Sequence, residues 1–167
     1  DRISHYKDIA VQLIDKNLAN WDGDAIRLNA NFDLNSWNDF YGKKIPITSK
    51  DSDFAKNLVL IKSDGYPTYN FSSIVDDIDS GINLVIRGSD HISNTSKQMF
   101  VLQALNDINY AGSVNHTIDF CHVGLIMVKD IDTGKQVKLS KRNSASNLMD
   151  YKDNDFLPDA ILNAVLK

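Results

Sequence analysis

The sequence predicts an α/β protein with a mainly parallel sheet, on three observations. From residue 57 onward, short apolar runs that suit buried strands alternate with longer windows of helical periodicity. The breaks between them carry turn residues, as in "SDGYPT" and in the Asp-Thr-Gly of the later hairpin. The chain has 167 residues, 43% of them hydrophobic and 24% charged, which suffices for one ordinary core and is tight for two.

Taken in order, the elements follow from spacing. In "SHYKDIAVQLIDKNLA" the residues Tyr6, Ile9, Leu13 and Leu18 recur on one face, which predicts an amphipathic helix. The chain starts at Asp1 with no methionine and is expected to open inside that helix, and so reads as the middle of something longer. "DAIRLNANF" and "IPITS" alternate as half-exposed strands do, whereas "KNLVLIK" is a short apolar run for a buried one. A helix over "YNFSSIVDDIDSG" should close at Gly81, because glycine tolerates the left-handed conformation that ends many helices. The strand "INLVIRG" comes next, then a helix "TSKQMFVLQALND" with Ser93, Asn94 or Thr95 available as its cap. Its Met and aromatic residues stand at core spacing. "CHVGLIMVKDIDTGKQVKLS" reads as an apolar strand, a turn and a polar return, that is, a hairpin. Pro158 then opens a last helix, "PDAILNAVLK".

Composition excludes several classes. A net charge of -4 argues against a dedicated wrapper of nucleic acid. No run approaches the roughly 18 apolar residues of a membrane span, and "DRISHYKD" is no signal peptide, so a soluble intracellular protein is expected. Cys121 is the single cysteine, which leaves no intrachain disulfide and no cysteine-rich zinc site; within an apolar strand it is expected in the core.

Against that acidic background, "KQVKLSKR" at 135–142 gathers four basic side chains and one hydroxyl in eight residues. In open α/β sheets ligands lie beyond the carboxyl ends of the strands. Two places qualify: Arg87, Asp90 and His91 after "LVIRG", and the basic loop after the hairpin. Either alone reads as solvated surface charge; together they point to a site for anions.

"LIKSDGYPTYNFSSIVDDIDSGINLVIRGSDHISNTSKQMFVLQAL", "KLSKR" and "YKDNDFLPDAILNAVL", recurring in that order, resemble the second half of the catalytic domain of glutamyl-tRNA synthetases, which are class I aminoacyl-tRNA synthetases. "KLSKR" is similar to the class signature Lys-Met-Ser-Lys-Ser, a mobile loop over the phosphates of ATP. The resemblance implies a partial doubly wound (Rossmann-like) sheet over residues 57–167. Residues 1–56 resemble a shortened part of the acceptor-stem-binding insertion. It also implies ATP with Mg2+, glutamate and tRNA as partners, and a cytoplasmic setting with an organelle as the alternative. In these terms Lys138 and Lys141 are the catalytic pair, with Ser140 and Arg142 helping to hold ATP. Asp90 and His91 lie near ATP or the terminal adenosine. Tyr69, Ser73 and Arg87 bind glutamate, Arg87 meeting the side-chain carboxylate. Pro67, Thr68, Asp76 and Asp77 are structural or tRNA-adjacent. Ser89 departs from the acidic residue usual at its position.

The His-Ile-Gly-His-type signature of the family's first half has no counterpart in this sequence. A piece of a glutamate–tRNA ligase, inactive until a first-half segment joins it, is therefore the leading expectation. The alternatives are an enzyme that glutamylates a tRNA base and a non-catalytic module with the same fold. Against the former stands Arg142, where such relatives carry Gln.

Overall fold

The computed structural model describes residues 2–29, 32–112, 115–130, 133–139 and 147–165. The chain divides into two units, Asp1–Val123 and Gly124–Lys167.

In the first unit, α1 (Ile3–Asp15) buries Tyr6, Ile9, Ala10 and Leu13, the predicted stripe. It stops where Asn17 turns left-handed at φ 59°, and Leu18 N–H reaches back to the carbonyl of Leu13 at 2.9 Å. β1 (Ala19–Asp22) and β2 (Ala25–Leu28) form a tight hairpin, and β2 pairs antiparallel with β5 (Val59–Ile61). One sheet thus joins residues on both sides of position 56. Between β2 and β5 lie the hairpin β3 (Ser36–Asn38) with β4 (Lys44–Pro46) and the short helix α2 (Ser49–Lys56). The Thr48 hydroxyl caps α2 by accepting from Asp51 N–H at 3.1 Å.

The helix predicted over 69–81 is α3 (Tyr69–Asp79), with Phe71, Ile74, Val75 and Ile78 buried. It closes as expected at Gly81, whose φ of +67° suits glycine, while Ile82 N–H bonds the Asp77 carbonyl at 2.8 Å. β6 (Leu84–Gly88), α4 (Ile92–Asp107) and β7 (Asp119–Val123) form a β-α-β unit. β6 and β7 pair in parallel with Arg87 opposite His122. This is the one parallel pair among the described residues; the other pairings are antiparallel. The fold is thus mixed α/β with small sheets.

Three local expectations need correction. α4 starts at Ile92 after a short 3-10 turn, so Ser93, Asn94 and Thr95 lie inside it and none caps it. Thr95 is buried instead. "CHV" belongs to β7 rather than to the hairpin, which is β8 (Met127–Lys129) with β9 (Gln136–Lys138) in the second unit. Gly124 follows the last residue of β7 and separates the two. Leu18 lies beyond α1, only partly buried. Cys121 is buried, as expected of a core residue. The second unit continues with α5 (Leu148–Asp153) and α6 (Pro158–Val165), the latter opened by Pro158. No helix of the described residues is long and apolar enough to cross a membrane.

α1 is tied to α3 by charge. Asp79 accepts from Tyr110 Oη at 2.5 Å and lies 2.8 Å from His5 Nε2; Arg2 pairs with both Asp79 and Asp76. Burial pushes the Asp79 carboxyl up, but hydrogen bonds from Tyr110, His5 and Arg2 outweigh it and hold the group below the usual carboxylate range. A lowered pKa means stability that is present above the unfolded value and lost as pH falls through the folded one. Asp79→Asn should therefore cost about 1 kcal/mol at neutral pH, after allowance for solvent screening. Urea melts at pH 7 and pH 3 check this: the deficit should be present at the first and fade at the second.

Candidate active site

Arg87 stands at the carboxyl end of β6, where the strand rule places a ligand. Its guanidinium is caught between α3 and α4. Nη2 donates to Thr95 Oγ1 at 2.6 Å and to Gln98 Oε1 at 2.5 Å, and Nη1 donates to Tyr69 Oη at 3.2 Å. The Gln98 amide in turn donates to Ser73 Oγ at 2.7 Å, which fixes which end of the amide faces the arginine. Below the guanidinium lies the Phe120 ring, 5.1 Å from Cζ to centroid. Sequence-predicted Tyr69, Ser73 and Arg87 are thus joined in one hydrogen-bonded cluster.

All of these partners are neutral. Arg87 takes part in none of the ion pairs among the described residues. Asp77 is near enough to feel its charge, yet burial pushes the Asp77 carboxyl above its ordinary value, with Arg87 only partly opposing. The Nε–H of Arg87 is buried without a partner among the described residues. The half-buried cation is cushioned by hydroxyls and an amide rather than by a carboxylate, which leaves its charge unneutralised among the described residues.

His91 closes one side, its ring 6.2 Å from that of Tyr69 and edge-on to it, with Asn94 Nδ2 3.2 Å from its Nδ1. Asp90 is exposed on the same 3-10 turn. Lys138 is exposed at the end of β9 in the second unit. Ser140, Lys141 and Arg142 lie outside the described residues. The described residues contain no group of three or more His, Cys, Asp or Glu side chains that could hold a metal.

Sequence reasoning missed Thr95, Gln98, Phe120 and His122. A signal did exist for the first two: they share a stripe with Leu102 and Leu105 on α4, and all four are buried. Polar side chains at core positions of a helix must be satisfied by something, and here the something is Arg87. His122, beside Arg87 on the parallel strand, carries no signal of its own.

Fold and site together define a mixed α/β unit with an arginine at a strand end held by neutral partners. Residues 21–167 match the family described as tRNA synthetases class I (E and Q), catalytic domain, and the chain belongs to it. The glutamate–tRNA ligase of Francisella philomiragia is 40% identical over 134 residues, covering 80% of this chain and 25% of the relative. Glutamate–tRNA ligase 2 of Neorickettsia sennetsu is 34% identical over 166 residues, covering 99% of this chain and 37% of the relative. The glutamate-tRNA synthetase of Elizabethkingia anophelis matches with a TM-score of 0.51 and 25% identity, over 81% of this chain and 24% of that one. The chain therefore spans 24–37% of the length of these relatives.

Proposed function

We propose that this chain is part of the catalytic domain of a glutamate–tRNA ligase, in which Arg87 anchors the side-chain carboxylate of glutamate. The observation that carries the reading is the guanidinium held by Tyr69, Thr95 and Gln98 with no carboxylate paired to it among the described residues. Tyr69 and Ser73 complete the amino-acid pocket. Residues 57–167 are the second half of a doubly wound catalytic domain, and residues 1–56 are a shortened counterpart of the acceptor-stem-binding insertion. The setting is the cytoplasm, or an organelle, with tRNA as the acceptor and a first-half catalytic segment as the structural partner.

Attack of the glutamate α-carboxylate on the α-phosphate of ATP, brought with Mg2+, expels pyrophosphate, and negative charge grows on oxygens that need donors where it develops. Lys138 and Lys141 supply ammonium groups for that charge, Lys141 most directly. Ser140 adds a hydroxyl donor and Arg142 a further cation, while Asp90 and His91 face the nucleotide's adenosine.

The test is ATP–pyrophosphate exchange by this sequence within a complete catalytic domain. Glutamate should drive exchange and glutamine should not; exchange driven equally by both would sink the assignment of Arg87. In the same assay Lys141→Ala should slow pre-steady-state pyrophosphate release about a hundredfold with ATP affinity little changed, the pattern of a contact made chiefly in the transition state. An unchanged rate with weakened ATP binding would make the loop a binding element only.

A further inference from the structure

His122 touches the Arg87 cluster from a side that recognition of a carboxylate does not explain. The two residues are parallel-strand partners, Arg87 on β6 and His122 on β7, and both meet the same hydroxyl. Thr95 Oγ1 lies 2.6 Å from Arg87 Nη2 and 2.8 Å from His122 Nε2. The guanidinium can only donate, so Thr95 must accept from it. Two arrangements remain for the hydroxyl. It donates to His122 Nε2, or it accepts from His122 Nε2–H and donates to the His91 carbonyl, 3.3 Å away. In both, the imidazole is neutral and its Nδ1 is buried without a partner. Where Nε2 carries the ring proton, a second one on Nδ1 would be a buried N–H with no acceptor beside a permanent cation; where Nδ1 carries it, a second one on Nε2 would displace the Thr95 donation.

We propose that His122 is a positioning residue for Arg87: acting through Thr95 in its neutral form, it holds the guanidinium under the Tyr69 hydroxyl. This rests on the reading of Arg87 as the carboxylate anchor, because positioning matters to function only if Arg87 meets a ligand. The imidazole is clamped for the task. Trp37 lies 5.4 Å from its centroid, Phe120 stacks alongside at 6.4 Å, and Trp37 Nε1 donates to Ser96 Oγ on α4 at 3.1 Å. The ionisable groups around it act in opposite senses. Burial holds the His122 imidazole below its ordinary value; Arg87 and, more weakly, His91 push the same way, while Asp39 from the β3–β4 loop opposes them. Without the imidazole the Thr95 hydroxyl can turn toward the His91 carbonyl with nothing fixing its other lone pair, and one of the two acceptors of Nη2 becomes loose.

The Arg87 Nε–H resonance of the 167-residue chain reports this directly, since that group is buried. In His122→Phe its hydrogen exchange should quicken several-fold while backbone amides of β6 and α4 keep their protection. His122→Gln, whose amide can still meet Thr95, should restore slow exchange. Thr95→Val breaks the same bridge from the other side and serves if the Phe variant does not fold; combined with His122→Phe it should add nothing. In the wild-type chain the Arg87 signal should shift in step with titration of the His122 ring. Unaltered Arg87 exchange in a folded Phe or Val variant, or an Arg87 signal indifferent to His122 titration, overturns the proposal. Titrating L-glutamate into this sequence within a complete catalytic domain separates it from the functional reading: a signal that obeys His122 yet ignores saturating glutamate there would keep the positioning role and discard the carboxylate anchor.

Discussion

Replacing Arg87 by alanine, in a complete catalytic domain, is expected to weaken glutamate by about 2–4 kcal/mol, tens- to a thousandfold, while ATP binds as before. The size follows from what is lost and what is left behind. A charge-assisted contact to the substrate carboxylate disappears, and the carboxylate enters a site in which Thr95, Gln98 and Tyr69 were arranged around a cation. The Gln98 carbonyl oxygen, held toward the gap by the bond from Nε2 to Ser73, then faces the ligand with the wrong sign. Arg87→Lys should recover little, since a single ammonium cannot reach Thr95, Gln98 and Tyr69 and still meet a carboxylate. Isothermal titration of glutamate into the variant decides it, and wild-type affinity would remove Arg87 from the amino-acid site. The same variant should bind glutamine no worse than wild type, because the loss is one of charge pairing.

What could be read from the sequence, and what could not, divides along physical lines. Periodic apolar faces were legible: Tyr6, Ile9 and Leu13 on α1, and Phe71, Ile74, Val75 and Ile78 on α3, are buried where their spacing put them. So was the stop at Gly81, because one backbone conformation explains both the residue and the turn. Arg87 was legible as a cation directly after an apolar run. The short polar elements were not: α2, "SKDSDFAK", buries only Ala55, and β1 only Ala19, so neither carries a pattern to detect. Pairing direction was also hidden. β5 has the composition of a buried parallel strand, yet β2 occupies its edge in antiparallel register, and Leu28 N–H bonds the Leu58 carbonyl at 2.8 Å. Thr95 and His122 show the deepest limit. They are 27 residues apart and meet only because β7 returns beside β6, so no local reading could join them.

Residues 1–167 by themselves are expected to catalyse no glutamate-dependent pyrophosphate exchange. Among the described residues β6 pairs only with β7, so its other edge carries no strand, and the crevice at the strand ends has a single wall. On the sheet face turned away from α3 and α4, Cys121 is buried, but apolar side chains on β6 and at the end of β7 are open. Ile86 is 64% exposed there and Val123 45%, whereas Phe120, on the opposite face, is 2% exposed. An uncovered strand edge beside an apolar face favours association unless another segment packs on it. Enclosing the triphosphate of ATP requires donors on both sides of the attacked phosphorus, and this sequence carries the basic stretch "KLSKR" but no His-Ile-Gly-His-type signature to oppose it. Adding a segment that carries the first half of the catalytic domain should restore exchange and, in the same mixture, bury Ile86; quenched hydrogen exchange along β6 would register that burial independently of activity. Robust exchange by the homogeneous chain alone would show that the site is complete as it stands. A monodisperse, inert chain whose β6 exchange ignores the added segment would instead point to a binding module on a synthetase fold.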